Sequence, residues 1–576
     1  MVWESCGPAM KRPTLKWGSK LSERGLSSPS STGLPVAGKE SPESRAAVAG
    51  AETGSGWTRS NKGGKKTGGA LVSATAILIY LALVKLAVLL LTAESYGYYR
   101  DELYFIAASE RLAWGYVDFP PLVAAVTAFV RWAFGDSLPS LHIIPALVST
   151  GTVVLAGLIA RELGGGRLAQ GTAALATLIA PTILAVSTWL SMDAFDQLFW
   201  TLGAYLMVRI LNRDQPRLWL LFGLVMGLGL LNKVTILYFG LAVFVALLAT
   251  PARRHLRTVW PWLGGALSFI FLLPYAYWQI QNGWPTMEFF GNYSWKVEQD
   301  SPPEFLLKQI LTMHPVTLPL WLAGLYYLLF VREGRLWRPV GLVFLMLFVL
   351  FVVQNGKFYY LAPAYPMLFA AGGVALERYR IGWPRWDRIR VAYVSVLAVV
   401  GAVSAPLTVL PVLPVETLAS ITGTVNGNAG IEAEAREAAQ IPLNFADRFG
   451  WEEMVATVAG VYEELPPEEQ AEACILTGNY GEAGAIDFFG PEYGLPKAIS
   501  GHNNYYLWGP GGCTGETVIA VNVPRGTLRT VFDDVEEADT VSCEYCMPDE
   551  NNLPIYVVRS PKVPLEEAWP KFKFYK

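Results

Sequence analysis

Eleven apolar blocks run through this chain, near residues 70–92, 138–160, 168–187, 190–209, 217–232, 234–252, 258–280, 311–331, 339–354, 359–376 and 391–411. A helix needs roughly 20 apolar residues to cross a hydrocarbon core of about 30 Å. Chains patterned this way fold as α-helical polytopic membrane proteins. Several blocks are shorter than ideal and the pair around Asn232-Lys233 can be divided differently, so the count holds to about one. With 52% hydrophobic and only 16% charged residues among 576, the chain is too apolar for an ordinary soluble protein.

Charge is segregated along the chain. Residues 1–66 carry eleven Lys/Arg against five Asp/Glu, residues 67–411 twenty-four against seventeen, and residues 412–576 ten against twenty-six. The basic tail, 1–66, is rich in Ser, Gly and Pro without helical or strand period, and is expected to be disordered. It lacks the compact apolar stretch and cleavage site of a secretory signal, so the first block is expected to stay as an anchor. A start codon assigned too far upstream is the other reading of the tail.

Lys and Arg in short loops favour the cytoplasm. With the tail inside, the inner loops hold Arg161 and Arg167; Arg209, Arg213 and Arg217; Arg253, Arg254 and Arg257; Arg332, Arg335 and Arg338; and Arg378, Arg380, Arg385, Arg388 and Arg390. All five loops agree. The outer face of the cytoplasmic membrane then receives the loops 93–137, 281–310 and 355–358 and everything after 411.

Polar groups gather on that face. Tyr99-Arg100-Asp101-Glu102-Leu103-Tyr104 puts two adjacent acids at the membrane edge, and Asp118-Phe119-Pro120-Pro121 follows in the same loop. Carboxylates beside a bilayer are costly to desolvate and attract water, cations or protons, which makes them candidates for function; a solvated loop that merely carries acids is the alternative. Segments 101–114 and 119–134 have helical apolar spacing interrupted by Arg111 and Arg131, and a crossing at 119–134 would invert the arginine parity downstream. Two helices lying along the interface, with acids turned toward a cavity, are therefore expected. Asp193 and Asp196 open the fourth span on one helical face, where a carboxylate also gains from the helix dipole. Lys357, Tyr359 and Tyr360 stand at the mouth of the tenth span; they suit a phosphate at headgroup level, or equally a snorkelling lysine within an aromatic belt. His314 begins the eighth span, where a structural role competes with a catalytic or metal one.

Taken in order and on one face, the acid pair after the first span, Asp-x-Pro-Pro-Leu at 118–122, Met192-Asp193, and Lys357 with Tyr359 and Tyr360 resemble the family 39 glycosyltransferases. These are the protein O-mannosyltransferases and their bacterial relatives, including the lipid A aminoarabinose transferases. The resemblance is strongest from Asp101 to Trp200 and extends more weakly over 72–411. It implies a GT-C fold in which a helical bundle and interfacial helices cradle a polyprenyl-phosphate sugar and pass its hexosyl or pentosyl group, usually with inversion, to an outer-face acceptor that is a glycan, lipid or protein. Asp101 is then the base for the acceptor hydroxyl and Glu102 its catalytic neighbour or an acceptor-positioning group, one of the two having a raised pKa. Asp118 and Asp193 contact substrate, and Lys357, Tyr359 and Tyr360 hold the donor phosphate. A divalent metal cation at Asp101, Asp118 or Asp193 would play a similar neutralising role. Many relatives carry an arginine near the start of the second span. Here the chain reads Leu141-His142-Ile143-Ile144-Pro145, and His142 is a partial substitute.

Residues 412–576 differ in kind. Short β-rich runs at Ala473–Thr477, Thr517–Val523 and Ile555–Arg559, with helical patterns near 432–440 and 451–463, predict a small α/β or α+β extracytoplasmic domain, either handling the acceptor or capping the bundle. The run Asn503-Asn504-Tyr505-Tyr506-Leu507-Trp508 fits sugar binding or a core strand. Cys474, Cys513, Cys543 and Cys546 lie in this domain, and Cys513 with Cys543 or Cys546 is the expected disulfide; Cys6 in the tail stays reduced. The rivals are a transporter using the acids as proton sites and a receptor in which the bundle is only an anchor. No paired halves with broken helices are visible, as a transporter would commonly show. Nucleic-acid binding is disfavoured, because the only strongly basic portion is the short tail.

Overall fold

The computed structural model describes residues 73–293, 300–379, 385–424 and 439–576. The basic tail, Cys6 and all but the end of the helical pattern near 432–440 lie outside them.

Each of the eleven apolar blocks coincides with a helix or a broken helix. Among the described residues, five helices are long and apolar enough to cross a membrane: Ala74–Leu91, Leu138–Glu162, Trp260–Gln281, Arg335–Val353 and Trp386–Val409. Two bent pairs raise this to seven, Ile236–Leu248 with Pro251–Arg257 and Pro302–Thr312 with Pro315–Phe330, turning by 109° and 95°. Other blocks make shorter helices, such as Arg167–Ile179 and Leu218–Leu230 with 13 residues each. Large apolar side chains on the outer helices stay uncovered by protein, among them Leu83, Leu91, Phe269, Leu273, Val399 and Val403. That is the surface expected of helices solvated by lipid tails.

Small residues let the helices approach closely. A Cβ on Gly223 would lie 2.2 Å from the Gly264 carbonyl oxygen, so Leu218–Leu230 and Trp260–Gln281 meet backbone to backbone, and Ser268 Oγ donates across that seam to the Gly223 carbonyl at 2.8 Å. In lipid, such packing and interhelical bonding replace the hydrophobic drive available in water.

The C-terminal region is α/β, as the strand runs indicate. Its mixed sheet has the order β2-β1-β3-β5-β4, with β1 (Cys474–Thr477), β2 (Ala498–Ser500), β3 (Thr517–Val521), β4 (Phe532–Val541) and β5 (Leu553–Pro561). β1 is parallel to both β2 and β3, while β5 is antiparallel to β3 and β4. β3, Thr-Val-Ile-Ala-Val, is buried throughout, as a central strand covered on both faces must be. β4, Phe-Asp-Asp-Val-Glu-Glu-Ala-Asp-Thr-Val, is a largely exposed edge whose acids block further strand pairing.

Three expectations are corrected here. The disulfide joins Cys474 to Cys513, with Cα atoms 5.9 Å apart, because the loop after Trp508 returns to the start of β1; Cys543 and Cys546 are free. Residues Asn503–Trp508 form a helix, not a strand. Of the two interfacial helices, Leu122–Phe134 leaves Phe129, Trp132 and Phe134 exposed, but Arg100–Ser109 is buried on nearly all sides beneath the C-terminal region. Leu103, Tyr104, Phe105 and Ala107 share one apolar core with Trp451, Val455, Ile475, Ile519 and Ile555. The loop after the first span thus supplies part of the core of the region that begins more than 300 residues later. The membrane helices and this region make one compact unit.

The contact between helices Arg100–Ser109 and Tyr480–Phe489 depends on Gly484, where a Cβ would sit 2.8 Å from the Leu103 carbonyl carbon and 2.9 Å from its oxygen. Backbone cannot yield as a side chain can. Gly484→Val is expected to destabilise by about 1–3 kcal/mol, lowering the melting temperature of the detergent-solubilised protein and opening segment 480–489 to protease. Gly460→Ala, whose added methyl group meets nothing within 4 Å on an exposed helix face, is expected to stabilise by about 0.5–1 kcal/mol.

Candidate active site

Consecutive helical residues point about 100° apart, and this separates the acid pair. Asp101 faces a cavity of about 1290 Å³ while Glu102 turns the other way, fully buried. Glu102 accepts hydrogen bonds from the backbone N–H of Tyr99 at 2.9 Å and of Leu190 at 2.7 Å, and lies 2.9 Å from His142 Nε2; His142 Nδ1 faces the Ala93 carbonyl at 2.9 Å. Burial pushes the Glu102 carboxyl up, but His142 and the two backbone donors outweigh it and hold it below the ordinary carboxylate range. Glu102, expected as the catalytic neighbour or acceptor-positioning group, and His142, expected at the substrate, are both enclosed away from the cavity. Together they form an internal pin between helix Arg100–Ser109, helix Leu138–Glu162 and the turn before Met192, and neither lines the cavity.

The other expected residues do converge. Asp101, Asp118, Asp193, Lys357, Tyr359 and Tyr360 all line the one cavity, although they come from four separate segments. Ser191 caps helix Met192–Arg213 by accepting from the Asp193 N–H at 3.3 Å, which places Asp193 in its first turn. There Asp193 pairs at 2.5 Å with Lys233, whose Nζ also stands 4.8 Å from the Tyr360 ring centroid and 5.5 Å from that of Tyr359. Lys357 Nζ lies 5.7 Å from the Tyr359 centroid. Two ammonium groups thus share the Tyr359 ring, and Lys233 also stands over Tyr360, held in part by cation–π attraction. Sequence reasoning did not assign Lys233; a lone cation between two apolar blocks on the acid-bearing face was the available signal. His314 lies elsewhere, its Nε2 2.7 Å from Ser404 Oγ.

The far wall of the cavity comes from the sheet. Thr477–Tyr480 follows β1, Gly501–Asn503 follows β2 and Asn522–Pro524 follows β3, so the cavity opens at the carboxyl ends of all three parallel strands, where open α/β sheets take ligands. Each wall acid is held by a tyrosine. Tyr480 OH donates to Asp101 Oδ1 at 2.9 Å and Tyr104 OH to Asp118 Oδ1 at 3.0 Å, the two rings stacking with centroids 4.5 Å apart. Asn503 Nδ2 donates to Asp118 Oδ2 at 3.2 Å. Burial drives His502 down to about 4, leaving the ring neutral; its Nδ1 accepts the Tyr480 N–H at 3.3 Å while Nε2 donates to the Lys576 carbonyl at 3.0 Å. Asn479 caps helix Tyr480–Phe489, accepting from Gly481 and Glu482 N–H. Tyr480 was invisible as a site residue in the sequence, because its approach to Asp101 exists only through packing of segments 379 residues apart.

The arrangement can take up a proton at a carboxylate, hold an anion with lysine ammonium groups and phenol hydroxyls, and admit a bulky polar ligand. A metal fits less well. Among the described residues no three acids, histidines or cysteines gather as a ligand set, and Asp193 is already neutralised by Lys233.

Residues 118–278 match the family model for dolichyl-phosphate-mannose-protein mannosyltransferase. The crystal structure of ArnT from Cupriavidus metallidurans bound to undecaprenyl phosphate aligns over 84% of this chain and 98% of its own, with a TM-score of 0.58 at 16% identity. The apo form of the same protein aligns over the same shares with a TM-score of 0.55 at 17% identity. The oligosaccharyltransferase AglB from Archaeoglobus fulgidus aligns over 78% of this chain and 69% of its own, with a TM-score of 0.48 at 12% identity. No curated protein matches the sequence. The chain shares its fold with ArnT, and over residues 118–278 it is similar to the dolichyl-phosphate-mannose-protein mannosyltransferase family.

Burial raises Asp118 to about 7, with the neighbouring Asp101 charge adding to the rise. A buried acid raised in this way binds its proton more tightly folded than unfolded, so its contribution to stability is present at acid pH and lost as pH rises from about 4 through 7. Thermal melts of the wild type between pH 5 and 8 are expected to show this fall. In Asp118→Asn, which keeps the shape without the titration, that part of the slope is expected to vanish.

Proposed function

We propose that this protein moves a sugar from a polyprenyl-phosphate donor to an acceptor hydroxyl at the extracytoplasmic face of the cytoplasmic membrane. The observation that carries this reading is the convergence of Asp101, Asp118, Asp193, Lys357, Tyr359 and Tyr360 on one cavity, inside a fold shared with a protein crystallised with undecaprenyl phosphate. The arginine count supports the orientation, because every membrane-region segment reaching the cavity ends on the side it assigns to the exterior.

In this reading the donor phosphate rests against Lys233, Lys357, Tyr359 and Tyr360. Their positive charge and phenol hydroxyls stabilise it as it departs from the anomeric carbon. The acceptor enters beneath the sheet. Asp101 takes the proton from its hydroxyl as the hydroxyl oxygen attacks the anomeric carbon from the face opposite the phosphate, inverting that centre. Tyr480 keeps the Asp101 carboxylate aimed by donating to Oδ1. Asp118, held by Tyr104 and Asn503, closes the wall beside it. No step is routed through a metal. The region after residue 411 serves the acceptor side, since its strand ends, with Lys571, Lys573 and Lys576, complete the cavity lining begun by the membrane-helix ends.

Purified protein supplied with radiolabelled polyprenyl-phosphate sugars tests the reading. Asp101→Asn is expected to lose transfer or donor hydrolysis by about 10²–10⁴-fold, the usual worth of a general base, while its melting temperature holds. Flux of a solute without donor turnover would refute the proposal in favour of a transporter. Lys357→Ala is expected to raise KM for the donor about tenfold or more, the cost of one charge-assisted contact, with a smaller change in kcat; an unchanged KM would remove Lys357 from the phosphate site. In Tyr480→Phe the acid limb of the pH–rate profile is expected to move to higher pH, because the carboxylate has lost a stabilising donor. An unmoved limb would show that Tyr480 only packs.

A further inference from the structure

A second cavity of about 600 Å³ lies on the other side of helix Asn503–Trp508 and shares no lining residue with the first. Its distinctive wall is Arg111. The guanidinium lies 4.4 Å over the Trp508 ring centroid and 5.9 Å from that of Tyr505. Stacking occupies its face and leaves the in-plane N–H donors at its edge. No acceptor among the described residues bonds to it, so these donors are offered to whatever fills the cavity. Lys497 adds a second cation to the lining, against Glu472 as the single acid. Lys497 is also 3.0 Å from Glu110, a carboxylate already shared with Arg131 at 3.1 Å, so Arg111 is the cation of this lining that has no ion pair among the described residues.

The opposite wall is the loop Gly509-Pro510-Gly511-Gly512, tied to β1 by the Cys474–Cys513 disulfide. A Cβ at any of its three glycines would meet nothing within 4 Å, which leaves a backbone-lined opening. The surroundings say from where a ligand arrives. Leu112 and Trp114, in the same short loop as Arg111, are 60% and 62% exposed, and Trp132 on the neighbouring helix is 82% exposed. Uncovered tryptophan and leucine beside cations are the signature of a segment seated at the headgroup level of a bilayer.

We propose that this cavity binds the phosphate of an anionic membrane lipid, with the Arg111 fork as its principal ligand, Lys497 as a supporting charge and the glycine loop as its lip. A planar fork pre-ordered by stacking suits a tetrahedral anion better than a mobile ammonium does. The site stands independently of the sugar-transfer reading.

The test uses full-length protein in detergent, delipidated and then offered phosphatidylglycerol, phosphatidylcholine or inorganic phosphate. Native mass spectrometry reads retained lipid, and calorimetry reads free phosphate. The wild type is expected to retain phosphatidylglycerol in preference to phosphatidylcholine. Arg111→Ala is expected to cut that retention about tenfold or more, as loss of one charge-assisted pair does. Arg111→Lys, with charge but no fork, is expected to recover little. Gly512→Glu places a carboxylate in the open loop without touching the aromatic stack; it is expected to repel the lipid while donor turnover stays at the wild-type level. Equal retention in wild type and Gly512→Glu, or no preference between the two lipids, would overturn the proposal even if the Arg111 variants failed to fold. Tight binding of inorganic phosphate without lipid retention would overturn the lipid assignment. Failure of the donor assays leaves these readouts unaffected.

Discussion

The buried Glu102 carboxylate is the constraint on which the site depends. It gathers the Tyr99 and Leu190 N–H groups and His142 around one charge in an apolar interior. An unpaired carboxylate there would cost several kcal/mol, so the three partners and the elements bearing them are held together as a set. Because Glu102 must point inward, its neighbour Asp101 must point into the cavity. The helix geometry that divides them encloses one acid and leaves the other on the cavity wall.

The second constraint is the burial of helix Arg100–Ser109 on its other sides by the C-terminal region. Arg100 is buried too, pairing with Asp447 at 2.6 Å and lying 3.7 Å from Glu550, so a cation from the loop after the first span neutralises acids from the distant region. Part of the acidic surplus after residue 411 therefore serves docking. The outward β4 edge uses another part to block pairing. A cavity made half of membrane-helix ends and half of strand ends can place a lipid-borne group against one wall and a water-borne one against the other. Its volume of about 1290 Å³ suits two ligands meeting.

Much of this was legible in the residues. The apolar blocks predict the helices because crossing length and apolar composition are properties of a contiguous segment. The motifs at Asp101, Asp118, Asp193 and Lys357 point to a shared site because they fall on one face of a topology counted from arginines. Glu102 and His142 misled because adjacent acids look alike in one dimension, and only the helical phase around Leu190 and Ala93 shows which is enclosed. The disulfide was missed for a related reason: Cys474 is 39 residues from Cys513 in sequence, and the return of the loop after Trp508 to β1 leaves no local sign.

The amino-acid sequence by itself determined the membrane helices, the C-terminal α/β region and the ordered set of acids, lysine and tyrosines, since these depend on composition and spacing within short windows. Tertiary structure alone decided that Glu102 is a pin, that Lys233 and Tyr480 line the same cavity, and that Arg111 stacks on Trp508 at the edge of a second cavity. Each of these is a contact between segments far apart in the chain, and such contacts arise from packing whole faces against one another, which no local pattern of residues encodes.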